Sequence, residues 1–150
     1  VAVIVTSDKS YKNLEIKRGY TEKDQLGGYD PYSASKGAAE FAIRSFIKSF
    51  FNKKSKVKIG IARAGNVIGG GDWSEDRLLP DCIKSWSDGK KVNIRNPNST
   101  RPWQHVLEAL SGYILLAVCD NSSILLDIMM LLIPKHLQQL PLHKRLILSF

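Results

Sequence analysis

Val1-Ala2-Val3-Ile4-Val5 is an unbroken β-rich apolar run, the pattern of a strand buried on both faces in a parallel sheet, with Thr6-Ser7-Asp8-Lys9 at its carboxyl end. A polar stretch from Ser10 to Pro31, punctuated by Gly19, Gly27 and Gly28, then predicts a long loop. Long loops at strand ends often carry function. From Tyr32 the apolar positions Ala39, Ala42 or Ile43, Phe46 and Phe50 recur at helical spacing behind Pro31, which predicts a helix to about Phe51. Lys53 to Lys56 make a polar link, and Val57, Ile59 and Ile61 alternate into a second strand that ends near Arg63. Strand, helix, strand is an α/β rhythm.

Gly65 to Gly71 reads as a glycine-rich turn, Leu78, Leu79, Ile83 and Trp86 as a short helix, and Val92-Asn93-Ile94 as a short strand. Asn96-Pro97-Asn98 forces a loop, and a last amphipathic helix runs from about Val106 through Leu110 and Tyr113 or Ile114 to Ala117. Beyond Val118 the composition changes: the segment 119–150 is rich in Leu and Ile, holds both methionines, and contains none of the glycines. His136 and His143 lie in that segment and carry no assigned role.

The 150 residues, 43% hydrophobic and 24% charged, suit one folded domain or a piece of one. The net charge of +8 invites a nucleic-acid or phosphate-rich partner. Its carriers are scattered, however, in short patches such as Lys53-Lys54-Ser55-Lys56 and Lys90-Lys91. With no helix of clustered Arg and Lys and no aromatic-basic interleaving, no nucleic-acid partner is expected. Cys82 and Cys119 match no metal-ligand spacing, which excludes a zinc site or disulfide framework and suits a reducing cytoplasm. The apolar run Ile124–Ile133 is interrupted by Asp127 and falls short of the ~20 residues of a membrane span, so no span is expected, and nothing in the sequence reads as a secretory signal. The start at Val1 rather than at methionine suggests a fragment.

Tyr32-Ser33-Ala34-Ser35-Lys36 places a phenol and an amine four residues apart on one helix face. A phenol of ordinary pKa near ~10 is a poor base at neutral pH, and a nearby ammonium favours its phenolate. Alone, the pair fits a core tyrosine with a surface lysine better than it fits a catalytic couple. The context is Thr6-Ser7-Asp8-Lys9 at a strand end, where open α/β sheets bind their ligands.

That strand end, then Tyr-x-x-x-Lys, then Arg63-Ala64-Gly65-Asn66-Val67-Ile68-Gly69, in this order, resembles the extended short-chain dehydrogenase/reductase family, the NAD-dependent epimerases and dehydratases. Arg63 through Trp73 and Thr100-Arg101-Pro102-Trp103-Gln104-His105-Val106 look most like the family's CDP-glucose 4,6-dehydratase branch. Asp8-Lys9 in place of an Asp-Glu pair, and Arg101-Pro102 in place of an Arg-Asp start, favour that branch over sister dehydratases. The resemblance covers about residues 1–118. It implies a Rossmann-like doubly wound parallel sheet, truncated at its amino-terminal half, with the start of a sugar-nucleotide-binding region, and it leaves 119–150 as an anomalous tail.

For function, the resemblance implies lyase chemistry on a nucleotide sugar, CDP-glucose, with NAD as cofactor and no metal. The steps are oxidation at C4 with hydride passing to NAD, loss of water across C5 and C6, and hydride return to C6, giving CDP-4-keto-6-deoxyglucose for polysaccharide biosynthesis. Tyr32 would take the C4 hydroxyl proton. Lys36 would support Tyr32 and hydrogen-bond the nicotinamide ribose, and Ser7 would steady the same hydroxyl. Asp8 would serve as acid at the C6 oxygen. Lys9 would be the base at C5, or would order a water or stabilise the enolate. Asn66, Arg77 and Arg101 would contact the diphosphate-linked sugar, since guanidinium groups pair bidentately with phosphate. Gly69, Gly70 and Gly71 allow close backbone approach or make a simple loop, while Trp103 and His105 fit a nucleotide-pocket wall or, by default, a buried tryptophan and a satisfied histidine.

The family's glycine-rich dinucleotide fingerprint is not found in the chain, so weak NAD binding and inactivity of the fragment alone are expected. The parent enzyme is expected to be a homodimer. Two other readings remain: a different nucleotide-sugar epimerase or dehydratase, and a non-catalytic truncated relic.

Overall fold

The computed structural model describes residues 1–118 apart from 17, 52–54 and 100. Cys119, His136, His143 and the rest of the Leu/Ile-rich segment lie outside the described residues, as do Lys53 and Lys54. Strand β1 spans Ala2–Ser7 and is followed at once by a single 3-10 turn, Asp8–Ser10. Helix α1 is Pro31–Phe50, β2 is Ile59–Ala64 and β3 is Asn66–Ile68. Helix α2 covers Leu78–Ser87, β4 Trp103–His105 and α3 Val106–Val118.

β1 and β2 pair in parallel from Ala2↔Ile59 to Ser7↔Ala64, with α1 as the connection between them, so the predicted strand–helix–strand order is a βαβ unit. A second parallel pair joins β3 to β4 from Asn66↔Trp103 to Ile68↔His105. Helix α3 packs over β1 and β2, where Leu116 meets Ala62, with Val3 and Tyr113 beside them. Ile61 and Ala62 are fully buried, as befits the central run of β2.

Helix α1 starts where the sequence places a stop and a cap together. Asp30 is extended and its carboxylate accepts from the Ser33 N–H at 2.9 Å, while Pro31 fills the first turn, where its missing N–H costs nothing. The buried face of α1 is Ser33, Gly37 and Glu40, small residues followed by an acid. A Cβ on Gly37 would lie 2.7 Å from the Gly27 backbone nitrogen, so a glycine is required for the loop to cross the helix here.

The polar stretch after Ser10 folds back on itself. Tyr11 and Leu26 form an antiparallel bridge, Lys12 N–H donates to Gln25 C=O at 2.8 Å, and Gly27 N–H donates to Ser10 C=O at 2.7 Å. At its tip Arg18 grips both oxygens of Asp24, at 2.7 and 2.6 Å.

Three expectations are corrected. β1 is not buried on both faces: Val5 is 52% exposed, because β2 is its one sheet neighbour among the described residues. Val92-Asn93-Ile94 is not a strand; three alternating residues without a partner do not form a ladder, and here they lie in irregular chain. The glycine-rich stretch Gly65–Gly71 is not wholly turn, for Asn66–Ile68 within it is β3. Its partner β4 also went unpredicted, and each makes the other possible.

Candidate active site

The carboxyl ends of β1 and β2 lie side by side, and the residues just beyond each strand carry the candidate chemistry. After β1, the Ser7 side chain caps the 3-10 turn by accepting from Lys9 N–H at 3.2 Å. The Ser7 hydroxyl donates to Asp8 Oδ1 at 3.1 Å, and Lys9 Nζ donates to Asp8 Oδ2 at 3.3 Å. Ser7, Asp8 and Lys9 are thus one bonded group, with Asp8 shielded and Lys9 open to solvent.

Helix α1 packs its amino-terminal half against this same turn. Tyr32 sits in the first turn of α1 and is 56% exposed, so its ring is available to a ligand rather than committed to a core. Lys36 Nζ lies 5.5 Å from the centroid of the Tyr32 ring, within the range of a cation–π contact. The predicted tyrosine–lysine couple therefore forms on the helix that faces Ser7-Asp8-Lys9. No direct bond joins the two groups among the described contacts.

On the far side, Ser7 pairs with Ala64, and two residues further along stands Asn66. Asn66 N–H donates to Pro102 C=O at 3.0 Å, and Trp103 N–H donates to Arg101 C=O at 3.0 Å, which brings Asn66 and Arg101 to the same end of the β3–β4 pair. A Cβ on Gly65 would lie 2.6 Å from the Pro102 carbonyl oxygen, so the close approach of these segments depends on that glycine. Arg77 stands apart as the residue that starts α2, exposed, with Nε 4.0 Å from Asp72. Backbone and side-chain bonds from Ser74, and then the Arg77 charge, hold the Asp72 carboxyl below the usual carboxylate range. Trp103 is half-buried, and His105 Nδ1 accepts from Leu107 N–H at 3.2 Å, a helix-end role.

Beneath the candidate residues lies a buried polar network that sequence reasoning did not assign. Glu40, fully buried, accepts from Thr6 Oγ1 at 2.8 Å and from Arg63 Nε at 2.6 Å, and Arg63 Nη2 closes a second bond to its other oxygen. Arg63, 1% exposed, also donates to the Tyr11 hydroxyl at 2.6 Å and stacks 4.5 Å from that ring. Burial pushes the Glu40 carboxyl up, yet the bonds from Arg63 and Thr6 and the Arg63 charge outweigh it and hold the group below its ordinary value. The available signal was an acid one turn beyond Lys36, on the face shared with Ser33 and Gly37; a charged residue on a small-residue face has to find a buried partner.

For a dinucleotide, Tyr32 and Lys36 fit the nicotinamide-ribose end: an exposed phenol and an amine beside the carboxyl ends of two parallel strands. No group of His, Cys, Asp and Glu among the described residues is arranged to hold a metal ion.

Residues 2–123 match the family described as the NAD dependent epimerase/dehydratase family, and the chain belongs to that family. The likeness extends to individual members. A CDP-glucose 4,6-dehydratase of Salmonella typhimurium is 56% identical over 119 residues, which cover 77% of this chain and 33% of the relative. Among solved structures, a dTDP-glucose 4,6-dehydratase of Streptomyces venezuelae with NAD bound superposes with a TM-score of 0.71 at 20% identity, over 84% of this chain and 37% of that one, and shows the shared fold. A dTDP-glucose 4,6-dehydratase of Bacillus anthracis in complex with NAD gives 0.66 at 25% identity, over 81% of this chain and 37% of that one. The chain spans about a third of the length of the curated relative. The fold is accordingly the parallel, Rossmann-like α/β type that the sequence predicts.

Proposed function

We propose that the chain carries the sugar-side chemistry of an NAD-dependent nucleotide-sugar 4,6-dehydratase, with CDP-glucose as the substrate. The observation that carries this reading is the exposed Tyr32–Lys36 couple on a helix packed against the bonded Ser7-Asp8-Lys9 group. The 56% identity to the Salmonella enzyme supports the choice of nucleotide.

In this reading Tyr32 takes the proton of the C4 hydroxyl, and Ser7 orients that hydroxyl. The Lys36 ammonium, close to the Tyr32 ring, stabilises the phenolate and offers donors to a ribose. Bound NAD would supply the hydride acceptor for C4 and return the hydride at C6. A C4 ketone acidifies the C5 proton, which Lys9 is positioned to take or to relay through water. Asp8 then protonates the C6 oxygen as water leaves. Both Asp8 oxygens accept bonds in the resting arrangement, so Asp8 first has to gain a proton; transfer from Lys9 Nζ to Asp8 Oδ2 along their 3.3 Å contact would supply it and leave Lys9 as the neutral amine that takes the C5 proton. Asn66, Arg77 and Arg101 hold the diphosphate. The glycine-rich strand–turn–helix fingerprint is not among the described residues, so low affinity for NAD is expected of this chain by itself.

Assembly of the parent protein as a cytoplasmic homodimer belongs to the same proposal. The exposed Phe41, Phe46 and Phe50 on α1 support the dimer. No helix among the described residues is long and apolar enough to cross a membrane.

The test is an amide-resolved NMR titration with CDP-glucose, followed by incubation with CDP-glucose and a high concentration of NAD in heavy water. The expected result is perturbation centred on Ser7–Lys9, Tyr32–Lys36, Asn66, Arg77 and Arg101, stronger for CDP-glucose than for UDP-glucose. Any product formed should have lost one water and gained one solvent deuterium at C5. Perturbations elsewhere, or indifference to the sugar nucleotide, would sink the reading.

A further inference from the structure

An ion pair taken out of water rarely adds stability over apolar residues of the same volume, so a buried pair at the base of a candidate site calls for another account. The Glu40–Arg63 pair is positioned for one. Glu40 lies one helical turn after Lys36 and two turns after Tyr32 on α1. Its carboxylate is bonded to Thr6, the residue before Ser7, at 2.8 Å. Arg63, bonded to the same carboxylate at 2.6 Å, is the register partner of Thr6 across the β1–β2 ladder. One carboxylate therefore ties the helix bearing Tyr32 and Lys36 to the strand bearing Ser7, and to the strand leading to Asn66. Arg63 extends the tie to Tyr11, which opens the loop after the 3-10 turn. Apolar packing alone leaves helices free to slide by fractions of a turn, whereas bidentate bonds between a guanidinium and a carboxylate fix both distance and orientation.

We propose that Glu40 and Arg63 are positioning residues, which set the placement of the Tyr32–Lys36 couple relative to Ser7-Asp8-Lys9. The proposal rests on reading those residues as the site. Thr6 and Tyr11 are further partners of the two charges, and Arg44, one turn after Glu40 and 36% exposed, lies 3.5 Å from the same carboxylate, where water can take its charge when Glu40 is replaced.

The experiment is fluorine NMR on the chain carrying 3-fluorotyrosine, with the Tyr32 resonance assigned by its loss in Tyr32→Phe. Two further variants are compared by thermal melting and by the Tyr32 signal. Glu40→Gln keeps the shape but leaves the Arg63 charge buried without its counter-ion, so the melting temperature falls and the Tyr32 resonance moves. In Glu40→Met with Arg63→Met both charges go, so melting recovers above that of Glu40→Gln. The Tyr32 resonance nevertheless stays displaced by more than its linewidth, because packing has returned and registration has not. A Tyr32 resonance back at its wild-type position in the double variant overturns the proposal, as does a double variant that melts no higher than Glu40→Gln. Failure of the site reading shows separately: there the wild-type Tyr32 resonance ignores CDP-glucose, while its response to the two variants still reports on positioning.

Discussion

In the proposed site, the β1–α1–β2 unit and the β3–β4 pair with α2 handle charge in opposite ways. In the first, Glu40 and Arg63 are buried and bonded to each other, with Thr6, Tyr11 and Arg44 among their further partners. In the second, the pairs are open: Arg77 is 66% exposed at 4.0 Å from Asp72, and Arg95 is 3.7 Å from Asp76 with both side chains in solvent. Exposed pairs of this kind are worth little and exchange partners readily, whereas breaking a buried pair strands a charge. The contrast fits a division of labour. Proton transfer needs groups fixed to fractions of an ångström, while holding a diphosphate needs cations that are free to leave one carboxylate for another anion.

The largest expected effect falls in the fixed half. On the proposed reading, Tyr32→Phe in the parent protein should lower turnover of CDP-glucose by about 10²- to 10⁴-fold, the usual contribution of a general base, read as water loss by mass spectrometry. Because Tyr32 is exposed, the same variant should bind CDP-glucose and melt as the wild type does. A variant that loses binding along with turnover would move Tyr32 from proton transfer to substrate anchoring.

Stability sharpens the comparison. Arg63→Ala leaves the Glu40 carboxylate buried without its main partner and should cost about 3–5 kcal/mol in urea unfolding. Arg77→Ala should stay within about 0.5 kcal/mol while weakening CDP-glucose binding. Equal losses from the two would erase the distinction drawn between the halves. Acid tests the same carboxylate. The folded Glu40 value is held below its unfolded one, so its stabilisation is complete above ~4.3 and is lost as pH falls through the folded value. The stability gap between wild type and Glu40→Gln should therefore narrow below about pH 4.3. Other lowered carboxylates, such as Asp24 and Asp30, titrate alike in both proteins and cancel in that difference.

Legibility in the sequence divides along the same line. Helix α1 was legible because its spacing, Pro31 and the loop before it all agree, and Tyr32 and Lys36 came with it. β2 was legible from alternation. The β3–β4 pair was not, since each strand has three residues and neither carries a pattern until the other lies beside it. Val92-Asn93-Ile94 shows the converse, alternation without a partner. Glu40 and Arg63 stayed hidden for a different reason. They are 23 residues apart, and charged side chains read by default as solvated surface until a fold encloses both.

A smaller effect belongs to the open half. Arg101 lies beside Asn66 at the end of the β3–β4 pair, where a guanidinium could bridge two phosphate oxygens. Arg101→Lys keeps the charge and removes the fork. Calorimetry should show CDP-glucose binding weakened about tenfold, roughly 1.4 kcal/mol, with melting unchanged. Unaltered affinity would mean that charge alone suffices there and that the diphosphate contact is diffuse.

The smallest effect returns to the first turn of α1. Asp30 accepts from Ser33 N–H at 2.9 Å, and bonds from the Ser33 hydroxyl and then its backbone hold the Asp30 carboxyl below its ordinary value. This cap orders the turn that carries Tyr32, so Asp30→Ala should lower the melting temperature by a few degrees and broaden the amide signals of Tyr32 and Ser33. Asp30→Ser, which can still accept from the helix N–H groups, should recover most of both. If Asp30→Ala broadens Tyr32 as much as Glu40→Gln shifts it, the order of the site resides in the cap and not in the buried pair. The fixed half would then owe its fixity to local helix chemistry, and the contrast with the open half would rest on capping alone.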